Sequence, residues 1–297
     1  MTGEKDMRQM RLIRHMTWAL AAMLLTGTMA VCAETVQERK AGAVAFDTNW
    51  TYAGNSVIHT GSAELYTASE DSAPRKNHTV CVNAGHGTRG GESAQTLSHP
   101  DGTPKVTGGT TAQGQVNSTA ISTGMTFLDG ATEASVNLQV AMELKKLLLE
   151  DGYDVLMIRE SDDVQLDNIA RTVMANNCAD IHVAIHFDST DSNKGCFYCS
   201  VPDVASYRSM EPVASHWQQH EALGKALVEG LQKEGVNVFQ GGSLPMDLTQ
   251  TSYSTIPSMD IELGDRASDH SQESCARYAK GLKAGIDAYF AQTSSAG

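Results

Sequence analysis

From Thr79 onward the chain alternates short apolar runs with amphipathic helical stretches, and that rhythm narrows the fold more than any other feature. Strand-like runs fall at 79–83, 153–158, 181–186 and 259–263. Between them, 133–150 sets Val136, Val140, Leu144, Leu147 and Leu148 on one helical face, and Gly152 follows where the last turn should stop. Leu166, Ile169, Ala170, Val173 and Met174 repeat the spacing, as do Cys275, Tyr278, Ala279, Leu282, Ile286 and Tyr289. A further helix is expected over 215–233, after Pro212 and before Gly235. Strands that alternate with helices need crossovers. The expected architecture is therefore a single α/β domain over 79–292, with a mainly parallel central sheet flanked by helices on both faces.

Three stretches stand outside this rhythm. In 34–78, Thr, Ser, Gly and Ala mix with charges without sustained periodicity, which reads as an N-terminal linker or leader segment. The stretch 92–130 is rich in Gly, Thr and Ser and too long for an ordinary connection, so it reads as an inserted loop, either functional or disordered. A shorter one, 241–257, carries Leu248 and Tyr253, which are placed to cover something nearby. At the N-terminus, Arg8, Arg11, Arg14 and His15 precede the apolar run from Met16 to Val31, which ends Val31-Cys32-Ala33. That is the layout of a signal peptide over 1–33, and it predicts a secreted or cell-envelope protein. The run is short for a membrane span, so no stable span is expected in the mature form.

The formal charge of −13 over 297 residues argues against a nucleic-acid footprint. Beyond Cys32, the cysteines are Cys81, Cys178, Cys196, Cys199 and Cys275, an odd number that is no disulfide framework. Cys196 and Cys199 have the spacing of half a zinc knuckle, but no second pair completes it. A local disulfide or plain packing remains, and an extended strand, which would aim the two side chains to opposite faces, favours packing.

In open α/β sheets, ligands bind beyond the carboxyl ends of the strands. The first strand-like run ends at His86, set between Gly85 and Gly87; the third ends at His186; the fourth holds Glu262; and Glu133 opens the first strong helix. Two imidazoles and a carboxylate meet the demand of a catalytic zinc, which keeps a fourth position for water. The remaining carboxylate is what a hydrolase needs to move a proton from water to a leaving amine. Each residue also has a plainer reading: a turn histidine, a helix-start acid favoured by the helix dipole, a core histidine, a strand-end ion pair. His182 shares a strand face with His186 but lies deeper, and is expected to be packed or hydrogen-bonded rather than a ligand. Arg171 reads as a structural ion-pair or helix-surface residue, and Asn176 as one that caps or orients a loop.

Taken in order, Asn83-Ala84-Gly85-His86-Gly87, Glu133 with Asn137-Leu138, Arg171 with Ala175-Asn176 and Ala179-Asp180, Ala184-Ile185-His186, and Glu262-Leu263-Gly264 resemble the zinc-dependent N-acetylmuramoyl-L-alanine amidases of bacterial cell walls. The resemblance implies that His86, Glu133 and His186 bind Zn2+ and that Glu262 is the catalytic glutamate. It implies as substrate peptidoglycan or a muropeptide, cut between N-acetylmuramic acid and L-alanine. A monomer is expected. Four positions depart from the family pattern. Asn83-Ala84 stands where Asp-Pro is usual, and Asn83 would orient a ligand histidine without charge assistance. Asp265 and Asp188 add carboxylates near Glu262, either raising its pKa or facing solvent. The rival readings are a non-catalytic peptidoglycan-binding relative and a zinc carboxypeptidase, although Arg89 stands where the latter's HxxE glutamate would be.

Overall fold

The computed structural model describes residues 39–69 and 73–294. The stretch 1–33, expected from the sequence to be a signal peptide, lies outside the described residues. In chain order the elements are β1 Arg39–Ala45, β2 Ser62–Thr67, β3 Thr79–Ala84, β4 Gln95–Leu97, β5 Asn117–Thr119, α1 Glu133–Glu150, β6 Asp154–Met157, α2 Asn168–Cys178, β7 Ile181–Asp188, β8 Cys196–Ser200, α3 Val213–Lys233, β9 Val238–Pro245, β10 Ser258–Asp265 and α4 Gln272–Ser294. Short helices, Ala205–Arg208 and Thr249–Tyr253, flank α3 and precede β10.

Eight strands form one sheet in the order β1-β2-β6-β3-β7-β10-β8-β9. The four central strands, β6-β3-β7-β10, are mutually parallel; β1, β2 and β8 introduce the antiparallel pairings. This is the expected α/β fold with a mainly parallel sheet. On one face α1, α3 and α4 bury Val140, Leu144, Leu227 and Leu282 against Val80, Val82, Ile185 and Ile261. On the other face α2 packs Ala170 and Met174 against Cys81 and Leu156. Helix α1 starts where Thr132 caps the free amide of Ser135, and Gly152 ends it in the left-handed conformation that glycine adopts without strain. No described helix is long and apolar enough to cross a membrane.

The segment 34–78 is not a mere linker. Its described part adds strands β1 and β2 to the sheet edge, with β2 antiparallel to β6, and buries Ala63 and Tyr66. Asp167, the N-cap of α2, ties it further by accepting the amides of Val57 and Ile58 and the hydroxyl of Ser56. A bulge between Lys40 and Gly42 breaks the alternation, and small residues carry much of it, so the sequence shows no strand period there.

The insertion 92–130 is ordered. It holds the two-stranded sheet β4-β5 and buries Ile121 and Phe127. It is fastened to the 241–257 stretch through Asp247, which accepts from the Lys105 ammonium at 2.9 Å, from His99 Nε2 at 3.1 Å, from the amides of Val106 and Thr107, and from the Thr107 hydroxyl. Cys196 and Cys199 are both buried and free, so packing accounts for their spacing.

Candidate active site

Strand β3 ends at Ala84, and Gly85 extends the ladder by one bond, donating its amide to Ile185 O at 3.0 Å. A Cβ on Gly85 would lie 2.2 Å from the His186 ring, so only glycine lets that imidazole cross the strand end. His86 follows with a left-handed φ of 64°, which swings its ring over the sheet's C-terminal rim. Its Nδ1 lies 2.9 Å from Ser122 O in the insertion. A carbonyl only accepts, so Nδ1 carries the proton and Nε2 offers its lone pair.

That lone pair faces Glu133 Oε1 at 2.9 Å. Glu133 is the first residue of α1; the amide of Phe187 donates to its Oε1 at 3.1 Å and that of Met125 to its Oε2 at 2.8 Å. His186, on β7, brings Nδ1 to 3.0 Å from the same Oε1 and 3.1 Å from His86 Nε2. The three donor atoms thus form a triangle with edges of 2.9–3.1 Å. Tetrahedral ligands at zinc bond lengths stand about 3.3 Å apart, a few tenths wider. A nitrogen lone pair directed at a buried carboxylate oxygen repels it unless a cation sits between them. The donor set therefore fits a divalent ion, and these three residues could hold one.

The electrostatics agree. Burial alone would raise the Glu133 carboxyl, yet His86 and His186 hold it well below the usual carboxylate range. Burial would lower His186, but Glu133, Asp260 and Glu262 push it up to about 9. The carboxylates thus favour positive charge at this point.

Glu262 lies on β10 directly opposite His186 in the parallel ladder. Among the described residues its buried Oε2 has no hydrogen-bond partner. Burial, reinforced by Glu133 and Asp260 and opposed by His186 and Lys194, raises its carboxyl to about 8. All four predicted residues, separated widely in the chain, are therefore neighbours.

The departures from the family pattern resolve differently from expectation. Asn83 does not touch a ligand; it contacts His182 Nε2 at 3.2 Å and accepts from Arg171 Nη1 at 3.0 Å. The partner that orients His86 is instead the Ser122 carbonyl. Asp265 neither faces solvent nor bears on Glu262, because it is buried and accepts the amides of Ser192, Lys194 and Ala267. Asp188 pairs with the Lys194 ammonium. His182 is fully buried between Asn83 and Ser258, and burial together with Arg171 pushes its pKa down to about 3. Arg171 is neither on the helix surface nor ion-paired: it is buried and donates to the carbonyls of Ala84, His86 and Leu166. Asn176 holds the turn after Tyr253 by bonding Tyr253 O and the amide of Thr255.

Sequence reading missed Asp260. It sits two residues before Glu262 on the same strand face, with Oδ1 buried and, among the described residues, unpartnered. The strand period from Glu262 was the available signal. Ser122 left none, since its contribution is a backbone atom.

A mainly parallel α/β sheet with a His-Glu-His donor set at its strand ends defines an α/β protein with a candidate metal centre. The chain belongs, more particularly, to the N-acetylmuramoyl-L-alanine amidase family, whose model matches residues 80–287. No curated protein sequence matches it. Among solved structures it is similar to the N-acetylmuramyl-L-alanine amidase Ami1 from Mycobacterium smegmatis, at 19% identity and a TM-score of 0.60, over 74% of this chain and 100% of that one. It is similar also to the apo form of Ami1 from Mycobacterium abscessus, at 20% identity and a TM-score of 0.57, over 72% and 99%. The CwlD amidase from Clostridioides difficile, solved in complex with the GerS lipoprotein, matches at 19% identity and a TM-score of 0.51, over 72% and 99%. At these identities the likeness speaks for the fold.

Proposed function

We propose that the protein is a zinc-dependent hydrolase of the cell envelope that cleaves the amide between N-acetylmuramic acid and L-alanine in peptidoglycan. His86, Glu133 and His186 are its zinc ligands and Glu262 its proton carrier. The observation that carries this reading is the convergence of three metal-ligand atoms within 4.8 Å of one another, beside a buried carboxylate with a free oxygen. Zinc held there supplies a charge that polarises a carbonyl and acidifies water.

The chain's own residues do the rest. Ser122 O holds His86 in the Nδ1-protonated tautomer, which keeps Nε2 aimed inward. Glu133 is fixed by two backbone amides and does not swing. Glu262 takes a proton from the attacking water at its free Oε2 and returns it to the departing L-alanine nitrogen, which is too basic to leave unprotonated. Its burial without a partner suits it to hold a proton between the two steps.

Glu262→Gln tests the reading. The variant should retain about one zinc per chain and lose turnover by roughly 10²–10⁴-fold. Mass spectrometry of digested peptidoglycan should show free lactyl carboxylates and intact stem peptides. Shortened stem peptides would identify a carboxypeptidase, and a bound but uncut polymer a wall-binding protein.

A further inference from the structure

Two guanidinium groups lie behind the turn that carries His86, and the proton chemistry uses neither of them. Arg159, two residues beyond β6, donates through Nε to Ala84 O at 2.9 Å and through Nη1 to Ser161 O at 2.9 Å. Its Nη2 reaches two carbonyls at once, Gly85 O at 2.9 Å and Ala134 O at 2.6 Å. Arg171, on α2, approaches the same turn from the other side and donates to His86 O at 2.6 Å. Both are buried, and among the described residues no carboxylate stands within ion-pair distance of either. Burial lowers the pKa of Arg159 to about 10, and burial with repulsion from Arg159 lowers that of Arg171 to about 9.

A buried cation without an ionic partner is unfavourable unless its donors are all used in fixed geometry. The two arginines differ in what they join. Arg171 ties the His86 turn to its own helix and to Thr88. Arg159 alone bridges two ligand-bearing elements: Gly85 immediately precedes His86, and Ala134 immediately follows Glu133. A planar guanidinium sets the separation of the oxygens it binds, which a single ammonium on a flexible stem does not.

Resting on the zinc reading above, we propose that Arg159 is a positioning residue for the metal ligands, one that fixes the His86 turn against the start of α1 so that His86 Nε2 and Glu133 Oε1 meet at one point. It touches neither the ligand atoms nor the substrate. Its effect is on how readily the donor set accepts an ion, because ligands held apart must be drawn together at the expense of binding.

The test is zinc affinity, read by competition with a chromophoric chelator, together with thermal unfolding of the full chain with and without zinc. Arg159→Gln should bind zinc 10–100-fold more weakly than wild type, and the rise in Tm on adding zinc should shrink accordingly. Arg159→Lys keeps the buried charge but not the fork, and should restore the affinity only in part. It also decides the matter if the glutamine variant does not fold. A purely structural arginine would lower Tm equally with and without zinc and leave the affinity within about twofold; that result overturns the proposal. Absence of zinc binding by the wild-type protein would overturn the metal reading itself, a distinct failure.

Discussion

Two buried carboxylates, each beside histidine, divide the molecule's polar interior into opposite types. Asp247 is saturated: an ammonium, an imidazole, two amides and a hydroxyl all donate to it. Glu133 receives two backbone amides and, more distantly, the Asn137 side-chain amide, and then faces two imidazole nitrogens that converge on one oxygen. The first cluster is complete without a ligand and acts as a fastener for the insertion. The second gathers its nitrogens on one carboxylate oxygen, an arrangement suited to a positive charge at its centre. What separates the two clusters is the balance of donors to acceptors, since burial and residue types are much the same.

Changes at the two clusters should therefore have separable effects. His186→Ala should abolish zinc retention, from about one ion per chain to under about a tenth, as measured by metal analysis after dialysis. Retained zinc would remove the asymmetry just drawn. Asp247→Ala should leave zinc stoichiometry intact but strand the Lys105 charge, at a stability cost of roughly 3–5 kcal/mol in urea unfolding. If it instead emptied the metal site, the clusters would be one unit.

Acid gives a milder probe. Burial would raise the Asp247 carboxyl, but His99, Thr107 and Lys105 hold it well below its usual value. Its pKa is lower folded than unfolded, so its stabilisation is present above the ordinary aspartate value of about 3.9 and fades as pH falls below it. Asp247→Asn should flatten that part of the stability-versus-pH curve; an unchanged curve would show that other groups govern acid unfolding.

The smallest effect separates two glycines of the insertion. A Cβ at Gly124 would stand 2.6 Å from the His86 ring and 2.8 Å from Glu133 Oε2, whereas one at Gly114 would meet open space. Both have left-handed φ, so each alanine costs about 1 kcal/mol of backbone strain. Only Gly124→Ala should also weaken zinc binding, by about tenfold. Equal zinc affinity in the two variants would place Gly124 outside the site.

The parallel strands and long helices were legible because a buried strand and an amphipathic helix each leave a periodic signature. His86, His186 and Glu262 were legible because strand ends are where such sheets place chemistry. The edge strands β1 and β2 were not, since a bulge and small side chains erase the alternation. Nor was the Asp247 cluster, whose residues His99, Lys105 and Asp247 lie in two stretches without periodicity and meet only through tertiary packing. Arg159 was invisible for a related reason: an arginine after a strand looks like a surface charge until its carbonyl partners are seen.

The Ser122 carbonyl belongs to no side chain, so no single codon change can delete it. Alanine scanning across 92–130 would report on Gly124 and on the partners of Asp247, yet it would leave this carbonyl in place. Altering the number of residues between Lys105 and Glu133 would displace it, which makes position 122 tolerant of spelling and the stretch around it intolerant of length.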